Sequence, residues 1–344
     1  MKTSPFISAL TMGTNLTTPV WFMRQAGRSL PEYRATKGTT NILDAIAEPE
    51  LAAKITMQPV ERYGVDAAVL YSDIIVPVNS IGFGIEIEAG IGPVTKSPYR
   101  SERDLTRLEG FDPFVSTPYV LETIRLLKSR LEVPLIGFAG APFTVASYLI
   151  EGRPTRTFEA TKAMMYGDGE TFKRLMERLS EITYLSLKGQ IEAGVDAVQI
   201  FDSWVGNLSV YEYANFVAPH VRYVVERVKE LNVPIIHFGT NTTHLLGEFA
   251  KIPTDGVSLE NRSSIPEAIE ILGSDRAIQG NLDPILCLTN EQVMIDGAKR
   301  VLLESRAAKR YVFNLGHGVL PSTDPIMLEK LVKFVHENGP ELRS

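Results

Sequence analysis

The chain has 344 residues, 44% of them hydrophobic and 22% charged, with a formal net charge of -6. The length is ample for a sizeable core, in one large α/β unit or two ordinary domains, and the acidic balance leaves no overall basic field to collect nucleic acid. A single cysteine, Cys287, excludes a disulfide within the chain and a thiolate zinc cage.

One cysteine fits a reducing compartment. The opening stretch "MKTSPFISALTMGTN" lacks the long apolar segment of a signal peptide. No run reaches the ~18 apolar residues of a membrane span. The expectation is a cytoplasmic protein that neither crosses a membrane nor binds nucleic acid.

A coarse unit recurs along the chain: a short apolar run, a polar or Gly-rich tip, then a helical pattern. The runs are "PVWFM" (19–23), "AAVLY" (67–71), "PLIGFA" (134–139), "AVQIF" (197–201), "PIIHF" (234–238), "GVSLE" (256–260), "RAIQG" (276–280) and "YVFNL" (311–315). They are β-branched or aromatic and apolar at nearly every position, as parallel strands buried on both faces are. Between them lie amphipathic stretches. "EPELAAKITMQPVERYG" (48–64) has helical spacing and ends in Gly64. "QIEAGVDAVQIF" (190–201) reads as a helix end, a glycine cap, then a strand. "RSSIPEAIEILG" (262–273) is another helix with a glycine stop, and the last helices fall near 293–308 and 325–338. Eight such units predict a (β/α)8 TIM barrel, one domain over residues 1–344. "IGFGIEIEAGIGPVT" (81–95) breaks the pattern and reads as a hairpin insertion after the second strand. An open doubly wound sheet is the competitor, but no Gly-rich phosphate fingerprint follows the first run.

In such a barrel the active site lies at the C-terminal ends of the strands. The eight runs are followed or ended by Arg24, Gln25 and Arg28; Ser72 and Asp73; Gly140 and then Tyr148; Asp202, Ser203 and Trp204; His237 and Asn241; Glu260; Asn281 and Asp283; Asn314 and His317. Each has a plainer reading. Arg24 and Arg28 suit solvent or structural carboxylates, Asp73 a turn or cap, Ser203 a cap, Tyr148 core packing. His237 reads as a core histidine. His317, between two glycines that let the backbone turn sharply, reads as lining a site. The arginine pair has a clear chemistry: a guanidinium is a rigid, permanently charged fork for a carboxylate or phosphate. Four residues apart, two forks share a face if the segment turns helically.

"VWFMRQAGRSLPEYR", "YSDI", "FAGAPFTVASYLIEG", "FDSW", "QGNLDP" and "NLGHGV" together resemble the uroporphyrinogen decarboxylases of tetrapyrrole biosynthesis, from about residue 19 to residue 325. The resemblance implies a (β/α)8 barrel acting as a homodimer. It implies conversion of the four acetates of uroporphyrinogen III to methyls, giving coproporphyrinogen III and four CO2, without cofactor or metal. It places Arg24, Gln25, Ala26, Gly27 and Arg28 along the substrate cleft, Asp73 against the pyrrole NH groups, and Tyr148, Ser203 and His317 among the substrate contacts. Arg24, Arg28, Asp73, Tyr148 and His317 are the catalytic candidates, with Tyr148, His317 and a water held by Asp73 open as proton donor.

Two positions depart from the family pattern: Ser29 stands where a tyrosine is usual, and Arg153 follows Gly152 where more glycine and serine are usual. Three rival readings fit parts of the sequence. A zinc-dependent corrinoid methyltransferase wants cysteine ligands that the chain lacks. A tetrapyrrole carrier would keep the arginines without needing Asp73. A Schiff-base aldolase wants a lysine at a strand end, and no run ends in one.

Overall fold

The computed structural model describes residues 4–13, 17–88 and 91–344. Its strands are β1 Ala68–Val69, β2 Ile85–Glu88, β3 Gly92–Thr95, β4 Leu135–Gly140, β5 Ala197–Asp202, β6 Ile235–Gly239, β7 Gly256–Ser258, β8 Ala277–Gln279 and β9 Tyr311–Val312. Seven of them form one parallel sheet in the spatial order β1, β4, β5, β6, β7, β8, β9. Helices connect its successive strands, so apolar runs buried on both faces are what the architecture demands.

The first apolar run is the exception. Residues 19–23 form no strand, only a single parallel bridge from Val20 to Phe313. Arg24 explains the brevity, because its φ of 60° ends the extended conformation. Short as it is, the run touches both edges of the sheet. Phe313 N donates to Pro19 O and Asp66 N donates to Val20 O, each at 2.8 Å.

Glycines stop the helices where the sequence suggested. Helix Pro49–Tyr63 ends at Gly64 with φ 67°. The long helix Gly169–Ala193 ends at Gly194, φ 118°, three residues before β5. Helices Ile265–Leu272, Glu291–Glu304 and Pro325–Arg343 lie close to their expected places. β2 and β3 pair antiparallel outside the sheet, Ile85 opposite Thr95 and Glu88 opposite Gly92. Residues 89 and 90, part of the expected insertion, lie outside the described residues. This ribbon is pinned to the end of helix Pro142–Glu151 by Thr95 N to Gly152 O and Tyr99 N to Leu149 O, each 2.8 Å.

Inside the curl of the sheet the core is partly polar. Trp21 Nε1 donates to Gln279 Oε1 at 2.9 Å. Gln279 Nε2 donates in turn to Gln199 Oε1 at 3.0 Å and Ser258 Oγ at 2.9 Å. This chain of bonds ties β5, β7 and β8 to the first run, and in so buried a place each bond is strong and its loss expensive. Nearer the C-terminal ends the polar layer gives way to rings. Phe201 meets Phe138 at 5.4 Å and Phe238 at 5.9 Å, both edge to face. Phe138 and Phe201 remain partly exposed, an aromatic floor below the site.

Candidate active site

The site starts where the first run ends. Arg24 is exposed and adopts a left-handed backbone. Residues 24–30 are turns, and helix begins only at Pro31. The helical arrangement expected for Arg24 and Arg28 is therefore absent, because φ at Arg24 forbids it. The turn is tight: a methyl on Gly27 would lie 2.9 Å from Arg24 O. Arg28 is also exposed. Among the described residues neither guanidinium has an ion pair or hydrogen bond. The structural-carboxylate reading of these two cations therefore fails among the described residues.

Arg34 behaves differently. Its Nη1 donates to Arg28 O at 2.5 Å and to Ser29 O at 3.2 Å. A third cation thus braces the loop that carries the second. Gln25 is turned into the wall. Its Oε1 accepts from Phe22 N at 3.0 Å, and its Nε2 donates to Ala67 O at 3.0 Å. With both ends of the amide engaged and only 1% of the residue exposed, Gln25 fastens the first run to the approach of β1. Ala26 and Gly27 are half-buried beside it. Ser29 is buried, with its hydroxyl beside the Tyr63 phenol.

Asp73 follows β1. Its Oδ1 accepts from Ile75 N at 3.1 Å, so the turn reading holds locally. The residue keeps some reach to solvent, yet protein packs closely round the carboxyl. Burial pushes its pKa above the ordinary Asp range, opposed by the Ile75 N–H, the Arg24 charge and the Ile74 N–H. The same field touches Tyr148, whose phenol is pushed up to about 12, first by burial and then by the Asp73 charge. His317 is held below the usual imidazole range by burial and by Arg24, so it is neutral near pH 7. Arg24, from one stretch of chain, is thus near enough to Asp73, Tyr148 and His317, from three others, for its charge to be felt by each.

The glycines beside His317 have a reason other than a sharp turn, since neither lies in the left-handed region. A methyl on Gly316 would sit 2.2 Å from Asn261 N, and one on Gly318 would sit 2.5 Å from Arg24 Cδ. They admit neighbouring chain. Tyr148 stands on helix Pro142–Glu151, which begins directly after β4, and its ring meets Trp204 at 5.4 Å. Trp204 also packs on Phe158 at 5.2 Å. Ser203 is half-buried, and the short 3-10 turn Val205–Asn207 has no side-chain cap, so Ser203 does not cap it.

Several strand-end residues serve the scaffold. Asp202 and His237 are fully buried. His237 Nε2 and Asp202 Oδ2 lie 3.3 Å apart, and Thr144 Oγ1 donates to Asp202 Oδ1 at 3.1 Å. Asp283 caps its own turn through Ile285 N at 2.9 Å. Glu260 accepts from Thr243 Oγ1 at 3.0 Å and Arg262 Nε at 3.1 Å. Asn281 Nδ2 donates to Glu260 O and Ser263 O. Asn314 Oδ1 accepts from Leu315 N at 2.8 Å. Asn241 accepts from Arg262 Nη2. Among the described residues no group of three or more His, Cys, Asp or Glu side chains could hold a metal ion, and burial pushes the Cys287 thiol up to about 12.

Sequence reasoning missed the brace at Arg34, the shelf of Trp204 and Phe158, and the Tyr33–Tyr71 hydroxyl pair at 3.1 Å. Two of these carried a signal: Arg34 as a third arginine close to the pair, and Trp204 as a residue at the end of the fourth run.

The family model described as uroporphyrinogen decarboxylase (URO-D) matches residues 1–338. The chain is 48% identical to the uroporphyrinogen decarboxylase of Salinispora tropica, over 97% of this chain and 90% of that protein. It is also 48% identical to the one from Nocardia farcinica, over 97% and 96%, and to the one from Geobacillus kaustophilus, over 93% and 92%. Among solved structures, a methyltransferase from Methanosarcina mazei superposes with a TM-score of 0.81 at 20% identity, covering 98% of this chain and 99% of that one. That likeness concerns the fold alone.

Proposed function

This chain belongs to the uroporphyrinogen decarboxylase family, and from that premise we propose how its cleft removes CO2 from the acetate side chains of uroporphyrinogen. It is a carboxy-lyase of heme biosynthesis. In the finer reading, all four acetates of uroporphyrinogen III become methyls, giving coproporphyrinogen III and four CO2. Residues 1–344 act as one (β/α)8 barrel, which is supported by the link from β9 through residues 19–21 to β1. The working form is a cytoplasmic homodimer, a reading that rests on the family resemblance.

The observation that carries the proposal is the pair Arg24 and Arg28, two guanidiniums free of ion pairs among the described residues. Asp73 is near enough to Arg24 to feel its charge. The substrate has carboxylates round its rim and NH groups at its centre. Forks at the mouth take the rim carboxylates bidentately, and a carboxylate deeper in takes the NH groups. Ser203, Tyr148, His317 and the backbone at Ala26 and Gly27 complete the contacts. Gln25 contributes by holding the loop. The aromatic floor of Phe138 and Phe201 offers an apolar surface to the macrocycle.

The chemistry needs no borrowed electron sink, so neither metal nor organic cofactor is required. A proton added to the pyrrole carbon next to the acetate-bearing one makes the ring a cation. The carbon–carbon bond to the carboxylate then breaks, its electron pair flows into that cation, and CO2 leaves an exocyclic methylene. The methylene takes up a proton to become methyl, and the ring carbon gives its own back. Net, one proton enters for each CO2 lost. Asp73, with protein packed closely round its carboxyl, stabilises the cation by preorganised charge. Arg24 and Arg28 position the acetates. Arginine is a poor proton donor because its pKa exceeds ~12. Tyr148, with a protonated phenol, and a water held by Asp73 are the donor candidates; His317, held below the usual imidazole range, has to take up a proton before it can give one.

The test is anaerobic incubation with uroporphyrinogen III and a metal chelator, oxidation of timed samples, and chromatographic counting of carboxylates. Stepwise loss from eight to four is expected. Unchanged substrate that still binds would replace catalysis with carriage.

A further inference from the structure

β1 pairs with β4 only briefly. Leu70 N donates to Ile136 O at 3.0 Å, and then β1 leaves the sheet towards Ser72 and Asp73. The next backbone groups of β4, at Phe138, have lost their strand partner. Gln190, from helix Gly169–Ala193, takes its place. Its Oε1 accepts from Phe138 N and its Nε2 donates to Phe138 O, each at 2.9 Å. The approach is so close that a methyl on Gly137 would lie 2.5 Å from Gln190 Oε1.

An amide is narrower than a strand, and the splayed strands leave a cavity behind Asp73. Its lining includes Ser72, Asp73, Thr117, Phe138, Ser186 and Gln190, and its volume is about 10 Å³. That is the space of one water molecule. Its polar walls are partly used. Thr117 Oγ1 donates to Pro113 O at 3.2 Å and keeps its lone pairs. Ser186 Oγ accepts from Gln190 Nε2 at 3.3 Å, and its own proton is left to donate. Ser186 is only 7% exposed. A water at this place would have Ser186, Thr117 and Asp73 as partners, and a buried water needs about two to four.

We propose that this cavity holds one ordered water that bridges the Ser186 hydroxyl to the Asp73 carboxylate, making Ser186 a positioning residue for the decarboxylation. The inference rests on Asp73 facing the substrate, as proposed above. The water would grip the carboxylate from the rear and favour its ionised form. From other directions Asp73 faces Arg24, Tyr71 and Tyr148, with His317 beyond Arg24; burial raises its pKa, and among the described residues Arg24 brings the opposing charge.

Two measurements test this. A high-resolution crystal structure of the wild-type protein should show a water within hydrogen-bond distance of both Ser186 Oγ and an Asp73 oxygen; a dry cavity overturns the proposal. In Ser186→Ala the acid limb of kcat against pH should move up by about one unit, the scale of one hydrogen bond to a charged group, while KM stays within about twofold by the same reasoning. Ser186→Thr, which keeps the hydroxyl, should restore the limb. An Ala variant with the wild-type profile, or a Thr variant shifted as far as Ala, overturns it. Wild-type protein without any decarboxylation would instead overturn the proposed function.

Discussion

Gly318 and the stem of Arg24 fill one another's space: a methyl on Gly318 would come to 2.5 Å from Arg24 Cδ and 2.8 Å from Cγ. Nearly 300 residues separate them in sequence, and the contact fixes the path of the first cleft cation past His317. Gly318→Ala should therefore push Arg24 aside while the rest of the fold survives. The expected result is a fall in kcat/KM of about 10- to 100-fold, the scale of a catalytic group displaced by ~1 Å. Steady-state kinetics with an unchanged thermal midpoint would support this. Unaltered kcat/KM would remove Arg24 from the machinery.

Asp73 gives opposed effects on activity and stability. Its folded pKa is raised, chiefly by burial, so the folded state holds this proton more tightly than the unfolded chain does. Stability from this group is therefore greatest below the unfolded value and declines as pH rises towards the folded one. At neutral pH the ionised carboxylate is a cost. Asp73→Asn should fold and melt slightly higher at pH 7, yet lose ~10²–10³-fold in kcat, the range for one preorganised electrostatic group. Near-normal turnover by the folded variant would discard the proposed role.

Arg34 should matter without touching substrate. Its guanidinium holds Arg28 O and Ser29 O from one nitrogen. Lysine keeps the charge but loses the rigid fork. Arg34→Lys should raise KM about tenfold through looser placement of Arg28, within the ~1.5–3 kcal/mol of a hydrogen bond made by a charged group, with kcat nearly intact. A fall in kcat at constant KM would mean that the loop acts on the reaction itself.

Arg24 and Arg28, exposed and without an ion pair among the described residues, are the proposed partners of a substrate with many carboxylates, while the chain carries a net charge of -6. Attraction has to be local, since charges beyond ~8–10 Å are screened at physiological salt. KM should climb steadily with ionic strength, and the climb should flatten in Arg28→Gln. A salt-independent KM would assign recognition to apolar contact instead.

The strand ends were legible in the sequence because each one couples two local signals, an apolar run and the polar residue that ends it. Seven of the eight runs became sheet strands. The run at 19–23 did not, because Arg24 turns left-handed, and nothing local announces a left-handed arginine. Long-range chemistry was the other blind spot. Gln25 follows the first run as a ligand would, yet its amide is spent on Phe22 N and on Ala67 O, 42 residues away. Asp202 looks like a site carboxylate until His237 and Thr144 close round it. Gly316 and Gly318 suggested a turn, whereas they serve close approach of Asn261 and Arg24. In these cases a deciding partner, Ala67, His237, Thr144, Asn261 or Arg24, comes from a distant strand, helix or turn, where single-sequence patterning has no reach.

His336 on the last helix supplies a pH effect far from the cleft. Its Nε2 lies 2.7 Å from Asp66 Oδ2, and the same oxygen accepts from Val20 N at 2.7 Å. The carboxylate thus joins helix Pro325–Arg343 to the run that links the sheet edges. The hydrogen bond to Asp66 raises the pKa of His336 against the opposing effect of burial, and the Asp66 charge adds to the rise. A histidine raised in the folded state stabilises fully below its unfolded value of about 6.5, and that stabilisation is lost as pH rises through the folded value. The side chain is 33% exposed, so solvent screening limits the effect to at most ~1 kcal/mol. His336→Gln should lower the melting temperature at pH 6 and change it much less at pH 9, with kcat unaffected at either. Equal loss at both pH values would show that the contact works by packing and not by charge.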